Sequence, residues 1–332
     1  MKTASLDTVR RQAATLQVAE RFFDSVVLFA LFELGVFEHL ATGAKDLDAL
    51  HAKIGGDRHT LEAILDAAVA LKILTRADAR YAASEASIDT LGRPDSPAYL
   101  GEWITFLGAI GPSLLGLGRM TRSGERPDGE TLARVRTRAM DVHARTHAGE
   151  LAERVELSTT KTLLDVGCGS GAYSLAIVER HPAIEATLLD LAEPIAEARR
   201  FAAERGLEGR VRFVAADALA YVPDRAVDTV LISNLLHMLG EVRSRELVAR
   251  CVEFVAPGGR IIVQGEYLDD ERTSPRWPTL LNLVLRAVTP VGRNHTVAEA
   301  TTWLRDAGFV DVEHVRLSPW NANSALVARR PR

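Results

Sequence analysis

The sequence predicts an α/β fold in its C-terminal half, a mostly parallel sheet with helices, preceded by a mainly α-helical N-terminal domain. Two observations carry this. From Thr162 onward the apolar runs TLLDVG, EATLLDL, RVRFVAAD, DTVLIS and RIIVQGE alternate with helical stretches, as in a parallel sheet covered on both faces. Before Thr162 apolar residues recur mainly at helical spacing.

The elements follow in order. Val18, Phe22, Val26 and Phe29 mark one unusually apolar helical region that ends before Thr42 and Gly43. Such a helix must bury more than one face. Leu47, Leu50 and Ile54, then a Gly55-Gly56 break, then Leu61, Ile64, Leu65, Ala68 and Leu71 give two short amphipathic helices. Ile73 to Ser84 reads as two short strands around Ala77-Asp78, so the N-terminal segment has a winged-helix pattern. Residues 1–95 are expected to form this domain, 96–156 a helical connector and 157–332 the sheet domain. Pro94 and Pro97 punctuate the chain, Gly124 to Gly129 is expected as an exposed loop, and Met140, His143 and His147 share a helix face. Near the end, a helix from Val297 to Ala307 closes at Gly308, and VDVEHVRL and ALVARR suit an antiparallel hairpin.

Composition narrows the function. The chain has 332 residues, 47% of them hydrophobic and 25% charged, enough for a substantial core and two domains. No stretch approaches the roughly 20 apolar residues of a membrane span, and Met1 to Arg11 lacks a signal-peptide core, so no membrane partner and a cytoplasmic location are expected. Two cysteines, Cys168 and Cys251, make neither a disulfide framework nor a metal-ligand spacing. His143 and His147 are four apart, a spacing that also binds metal, but without a third ligand in the sequence no metal is expected. A net charge of -4 gives no general attraction to nucleic acid. Met1 to Leu100 carry 11 Lys plus Arg against 14 Asp plus Glu, and Glu62 and Asp66 on the would-be recognition helix would face phosphate unfavourably. A DNA-binding regulator is therefore disfavoured, and the apolar excess of Phe22, Phe23, Val26, Val27, Phe29, Leu31 and Phe32 points to burial against a second copy.

The chemistry begins at Asp165-Val-Gly-Cys-Gly-Ser-Gly171, between an apolar run and a helix starting near Tyr173. Glycines there let a backbone approach a ligand that a side chain would block. Gly167, Gly169 and Ala172 also satisfy the dinucleotide fingerprint G-x-G-x-x-A, so the loop alone leaves NAD open. Asp190 closes the second run, where a carboxylate can accept from both hydroxyls of a ribose in either cofactor. Asp217, ending the third run, is placed to accept from an adenine amine and favours S-adenosylmethionine. The Tyr-x-x-x-Lys solution of a nicotinamide oxidoreductase is excluded, because no lysine follows Lys161.

Asp165 to Gly171, Asp190, Asp217 and the Ala256-Pro-Gly-Gly259 turn resemble the ordered motifs of class I methyltransferases. ELGVFEHL, the Met140 helix and LNLVLRAVTPVGRNHT extend the likeness over almost the whole chain, to plant caffeic-acid-type and acetylserotonin-type O-methyltransferases and their bacterial natural-product relatives. The resemblance implies a seven-stranded Rossmann-like domain behind a winged-helix dimerisation domain, a homodimer, and S-adenosylmethionine as cofactor. It implies that Gly167, Gly169 and Gly171 cradle the methionine portion, that Leu191 and Ala218 flank the adenosine, and that Ser233 stands at a cofactor-contacting position.

The family histidine after the fourth strand is here His237, in Leu236-His237-Met238-Leu239, without the family's following aspartate and tryptophan. Glu266 matches the glutamate that holds it, and Asn294 stands where a second supporting acid is expected. A hydroxyl is a poor nucleophile, and an imidazole of pKa near 6.5 can take its proton. Trp103, Phe106, Met140, His143, Leu281, Asn282 and Asn294 are implied candidates for the pocket of a small-molecule acceptor. The sequence thus points to methyl transfer onto a hydroxyl of an aromatic or polyketide-like metabolite. Carbon or nitrogen methylation, or a non-methylating reaction on the same scaffold, is the alternative left by the altered histidine motif.

Overall fold

A computed structural model describes residues 6–126, 129–318 and 322–332. The chain forms two compact units, 1–108 and 109–332.

In the first unit, α1 (Leu6–Glu33) and α2 (Val36–Leu40) replace the single helical region expected. Gly35 between them adopts a left-handed φ of 62°, which ends one helix and starts the next. β1 (Lys45–Asp46), α3 (Leu47–Ile54) and α4 (Arg58–Ala70) follow. Aspartates cap both helices, Asp46 accepting from Ala49 N at 2.8 Å and Asp57 from Thr60 N at 2.7 Å. β2 (Leu74–Ala77) and β3 (Arg80–Ala83) pair antiparallel and β1 joins as the third strand, in the order β1-β3-β2. The tight turn between them places Asp78 and Ala79 at φ of 47° and 58°, the two positive values a twist-matched hairpin requires. Leu31, Phe37, Leu50, Leu65 and Tyr81 form this unit's core. Asp66, itself exposed, accepts from the Tyr81 hydroxyl at 2.7 Å and pairs with Arg76 at 2.9 Å. Leu16, Val18, Phe22 and Phe23 of α1 stand 50–68% exposed. α5 (Glu85–Leu91) follows, and α6 (Gly101–Leu115) spans the boundary between the units.

In the second unit, α7 (Leu117–Ser123) and α8 (Gly129–Arg154) come after the end of α6. The loop expected at Gly124 to Gly129 is exposed at Gly124, Glu125 and Arg126, whereas Pro127 and Asp128 lie outside the described residues. Then come β4 (Thr162–Val166), α9 (Ala172–Arg180), β5 (Glu185–Asp190), α10 (Ala192–Glu204), β6 (Val211–Ala215), β7 (Val227–Ser233), α11 (Leu236–Phe254) and β8 (Val255–Glu266). After α12 (Arg276–Val288) and α13 (Val297–Asp306), β9 (Val310–Arg316) and β10 (Asn323–Arg329) form the expected antiparallel hairpin. The seven strands lie in the order β6-β5-β4-β7-β8-β10-β9, the first five parallel. Apolar cores cover both faces, one around Leu175, Leu188 and Ala198, the other around Val230, Leu247 and Ile261. Strand order reverses between β4 and β7, and such a switch opens a crevice at the strands' carboxyl ends. The Ala256 to Gly259 turn expected before the fifth strand lies within the span of β8, where Gly258 has φ of 80° and the pairing with β7 shifts register.

Candidate functional site

Gly167, Gly169 and Gly171 leave the end of β4 with φ of 72°, 56° and 78°. Their surroundings differ. A Cβ on Gly167 would meet Leu235 Cδ2 at 2.5 Å, and one on Gly171 would meet Leu188 Cδ2 at 2.6 Å, so these two permit close packing. A Cβ on Gly169 meets nothing within 4 Å. That face of the loop is open to a ligand.

The carboxylates brace the loop. Asp190, at the end of β5, accepts from Gly169 N at 2.8 Å through Oδ2 and from Leu191 N at 2.7 Å through Oδ1. Each oxygen keeps further lone-pair capacity, so a diol can share them. Leu191 beside it is 61% exposed, apolar area that a purine would cover. Asp165 is fully buried and accepts from Ser174 Oγ at 2.5 Å, while its Oδ1 has no partner. Burial pushes Asp165 up to about 7, against the Ser174 hydrogen bond. It anchors the first turn of α9 from beneath the loop. Asp217 does not end a strand as expected: β6 stops at Ala215, and Asp217 is exposed and caps a turn, accepting from Leu219 N at 2.9 Å. Ala218 packs half-buried beside it. Ser233 is buried at the end of β7. Next to it Asn234, at φ of 49°, donates through Nδ2 to the Tyr173 hydroxyl at 3.2 Å.

A second group of side chains gathers at the ends of β7 and β8. His237, in the first turn of α11, lines one small pocket with Asn234, Gln264, Glu266, Tyr267, Asn294 and His295. Its backbone is fixed from behind, its carbonyl accepting from Arg293 N at 2.9 Å. Burial, together with His295 and His143, lowers His237 to about 3, so the ring is neutral at neutral pH. Glu266 is buried, and the expected pairing with His237 is not its contact among the described residues. Its Oε1 instead lies 3.5 Å from His143 Nε2 on α8, while Oε2 has no partner. His147 meets His143 edge to face at 5.1 Å between centroids. Asn294 is buried and donates to Pro278 O at 2.7 Å, and its own N–H is accepted by Asn282 Oδ1 at 2.6 Å. These two asparagines tie α12 to the 289–295 segment, leaving Asn294 Oδ1 without a partner. Leu281 is half-buried and Met140 is 38% exposed. A larger hollow of about 420 Å³, lined by Glu185, Arg210 and Asp224, lies at the opposite, amino ends of the strands. Ligands of such sheets bind at the carboxyl ends, so the glycine loop marks the site.

The family models match this arrangement. The O-methyltransferase domain covers residues 99–310 and the O-methyltransferase dimerisation domain residues 16–91. The chain belongs to the O-methyltransferase family.

This O-methyltransferase is 30% identical over 329 residues to the 3-hydroxy-5-methyl-1-naphthoate 3-O-methyltransferase of Streptomyces sahachiroi, covering 93% of this chain and 92% of that one. It is 28% identical to the tetracenomycin polyketide synthesis 8-O-methyl transferase of Streptomyces glaucescens, over 98% of each. Human N-acetylserotonin methyltransferase, solved in complex with S-adenosylmethionine, superposes with a TM-score of 0.86 at 25% identity over 100% of both chains. The enzyme uses S-adenosylmethionine as methyl donor, and its dimerisation domain supports a homodimer. Among the described residues no helix is long and apolar enough to cross a membrane.

Phe106 is 2% exposed in the N-terminal unit and stacks on Trp103 at 5.5 Å, which makes it a core side chain. Tyr173, Asn234, Tyr267 and His295 were not singled out by sequence reasoning. Tyr173 and Asn234 immediately follow the glycine loop and Ser233, so their positions carried a signal. His295, whose Nε2 lies 3.2 Å from Leu236 O, neighbours Asn294 but looks like an ordinary polar residue in the sequence.

Proposed function

We propose that the methyltransferase transfers a methyl group to a hydroxyl of a small aromatic or polyketide-like metabolite, in the cytoplasm, with His237 taking the proton. The observation carrying this reading is adjacency. The pocket of His237, Glu266 and Asn294 includes Asn234, whose side chain touches Tyr173, the second residue of the helix leaving the glycine loop. The printed substrates of the naphthoate and tetracenomycin relatives support the acceptor class.

Bound S-adenosylmethionine supplies an electrophilic methyl on a sulfonium. Gly169 and the Asp190 carboxylate, with Leu191, Asp217, Ala218 and Ser233 around them, are the residues to hold it, and Asp165 stiffens the loop. Alignment of the acceptor oxygen with that methyl can contribute up to about 7 to 11 kcal/mol. The neutral His237 is a weak base, yet the acceptor oxygen becomes cationic as it attacks and its proton strongly acidic. A weak base held in place then suffices. Glu266, a buried carboxylate in the same pocket, supports the imidazolium electrostatically. Met140, His143 and Leu281 are proposed to bound the acceptor, with Asn282 and Asn294 shaping the wall.

A screen of phenolic, enolic and polyketide acceptors, read by mass spectrometry for one added methyl group, tests the reading. Failure of every hydroxylated acceptor with turnover of an amine or carbon acid would replace it. The exposed stretch of α1 is the proposed dimer face, and light scattering should give twice the chain's 36.1 kDa.

A further inference from the structure

The pair of histidines on α8 gains from the fold the third donor that the sequence lacked. His143 and His147 are one turn apart, and β8 ends with Glu266 against them, so that one donor atom from each lies within 4.8 Å of the other two. We propose that His143, His147 and Glu266 form a site for one divalent transition metal of the zinc type.

Four observations support it. Metal–ligand bonds of about 2.0–2.2 Å set tetrahedral donors roughly 3.4 Å apart, and His143 Nε2 to Glu266 Oε1 already measures 3.5 Å. His147 offers its donor within the same 4.8 Å. Glu266 is 5% exposed, and its Oε2 has no hydrogen-bond partner in a setting where a bare carboxylate oxygen is costly. A dication supplies the missing charge. Glu150 Oε2 lies 3.7 Å from His147 Nδ1, a carboxylate behind the imidazole of the kind that orients metal-bound histidines. Two imidazoles and a carboxylate also form a donor set suited to zinc, cobalt or nickel and poor for magnesium or calcium.

Three protein ligands leave at least one coordination position open. Glu266 also lines the His237 pocket, which brings the proposed ion beside the proposed acceptor pocket. An acceptor with an oxygen beside its hydroxyl, as in an ortho-hydroxy carbonyl, is the class such an ion would select. This last step rests on the proposed acceptor pocket, whereas the metal site does not.

The test is Co²⁺ binding to the chelator-treated, full-length enzyme with no acceptor present. The expected result is one equivalent per chain, visible d–d absorption of a low-coordinate site, displacement by Zn²⁺, and paramagnetically shifted proton signals from two imidazole N–H groups. His143→Ala and His147→Ala should each abolish the absorption while S-adenosylhomocysteine still binds in calorimetry, and Glu150→Gln should weaken Co²⁺ by about 10- to 100-fold. Absence of the absorption and of the shifted signals in the unmutated enzyme overturns the site without reference to any variant. So does Co²⁺ binding that survives loss of both histidines. Methyl transfer by a metal-free enzyme leaves His237 as base and removes the ion from catalysis. It does not touch the binding result, so the two readings fail separately.

Discussion

The proposed cofactor and acceptor sides of the crevice are built differently. On the cofactor side most polar contacts engage backbone: Asp190 accepts from two N–H groups, Asp217 from one, and three glycines take left-handed conformations to bring main chain close. On the acceptor side the groups are side chains from β7, β8, α8, α11 and the 289–295 segment, and several lack partners, namely Glu266 Oε2, Asn294 Oδ1 and His295 Nδ1. Buried orphan polar atoms cost free energy, and a ligand bound at the proposed acceptor side would satisfy these three. A backbone-built half binds one invariant ligand, whereas a side-chain-built half can be retuned to new acceptors by single substitutions.

The sharpest break of this contrast is His237→Ala. It should lower kcat by about 10²- to 10⁴-fold while calorimetric affinity for S-adenosylhomocysteine stays within error. Equal rates would show that alignment alone suffices. Asp190→Ala does the reverse, loosening the loop as well as the ribose contact. Affinity for S-adenosylhomocysteine should fall by roughly 1.5 to 3 kcal/mol for each charged hydrogen bond lost, with His237-dependent chemistry intact at saturation.

Within the loop, Gly171→Ala and Gly169→Ala should part company. Gly171→Ala adds a 2.6 Å clash with Leu188 to the backbone strain and should cost about 1 to 3 kcal/mol by overpacking alone, read as a fall in melting temperature. Gly169→Ala carries the strain only, about 1 to 2 kcal/mol, and its larger effect should be on cofactor affinity. Equal losses of affinity in the two would remove Gly169 as the open face.

The smallest expected effect is in the pH profile. With His237 lowered to about 3, kcat/KM should show no histidine limb as pH falls from 8 to about 5. Stability should move instead. His237 and His295, the latter lowered to about 4, bind protons more readily in the unfolded chain, whose histidines titrate near 6.5. Their contribution is complete above about 6.5 and is lost as pH falls toward 4. His295→Asn should flatten that part of the melting curve, and an acid limb in kcat/KM near 6.5 would place the base elsewhere.

The sequence by itself determined the sheet, the glycine loop and the order of the cofactor carboxylates. Alternating apolar runs and glycines are local signals: β7 and β8 end where their runs stop, whereas β6 stops at Ala215, two residues short of Asp217. Through its resemblance to the O-methyltransferases it also pointed to His237 and Glu266, which lie after β7 and at the end of β8. Tertiary structure decided what those side chains touch. Glu266 meets His143 across a separation of more than a hundred residues, Phe106 turns into a core, and Asn282 and Asn294 bind each other's segments. Gly35 breaking the first helix needed the packing of Leu31 and Phe37 in one core to become visible. Spacing along a chain fixes which face a residue occupies, but a contact between α8 and β8 depends on how α8 packs over the sheet, and no local period encodes that.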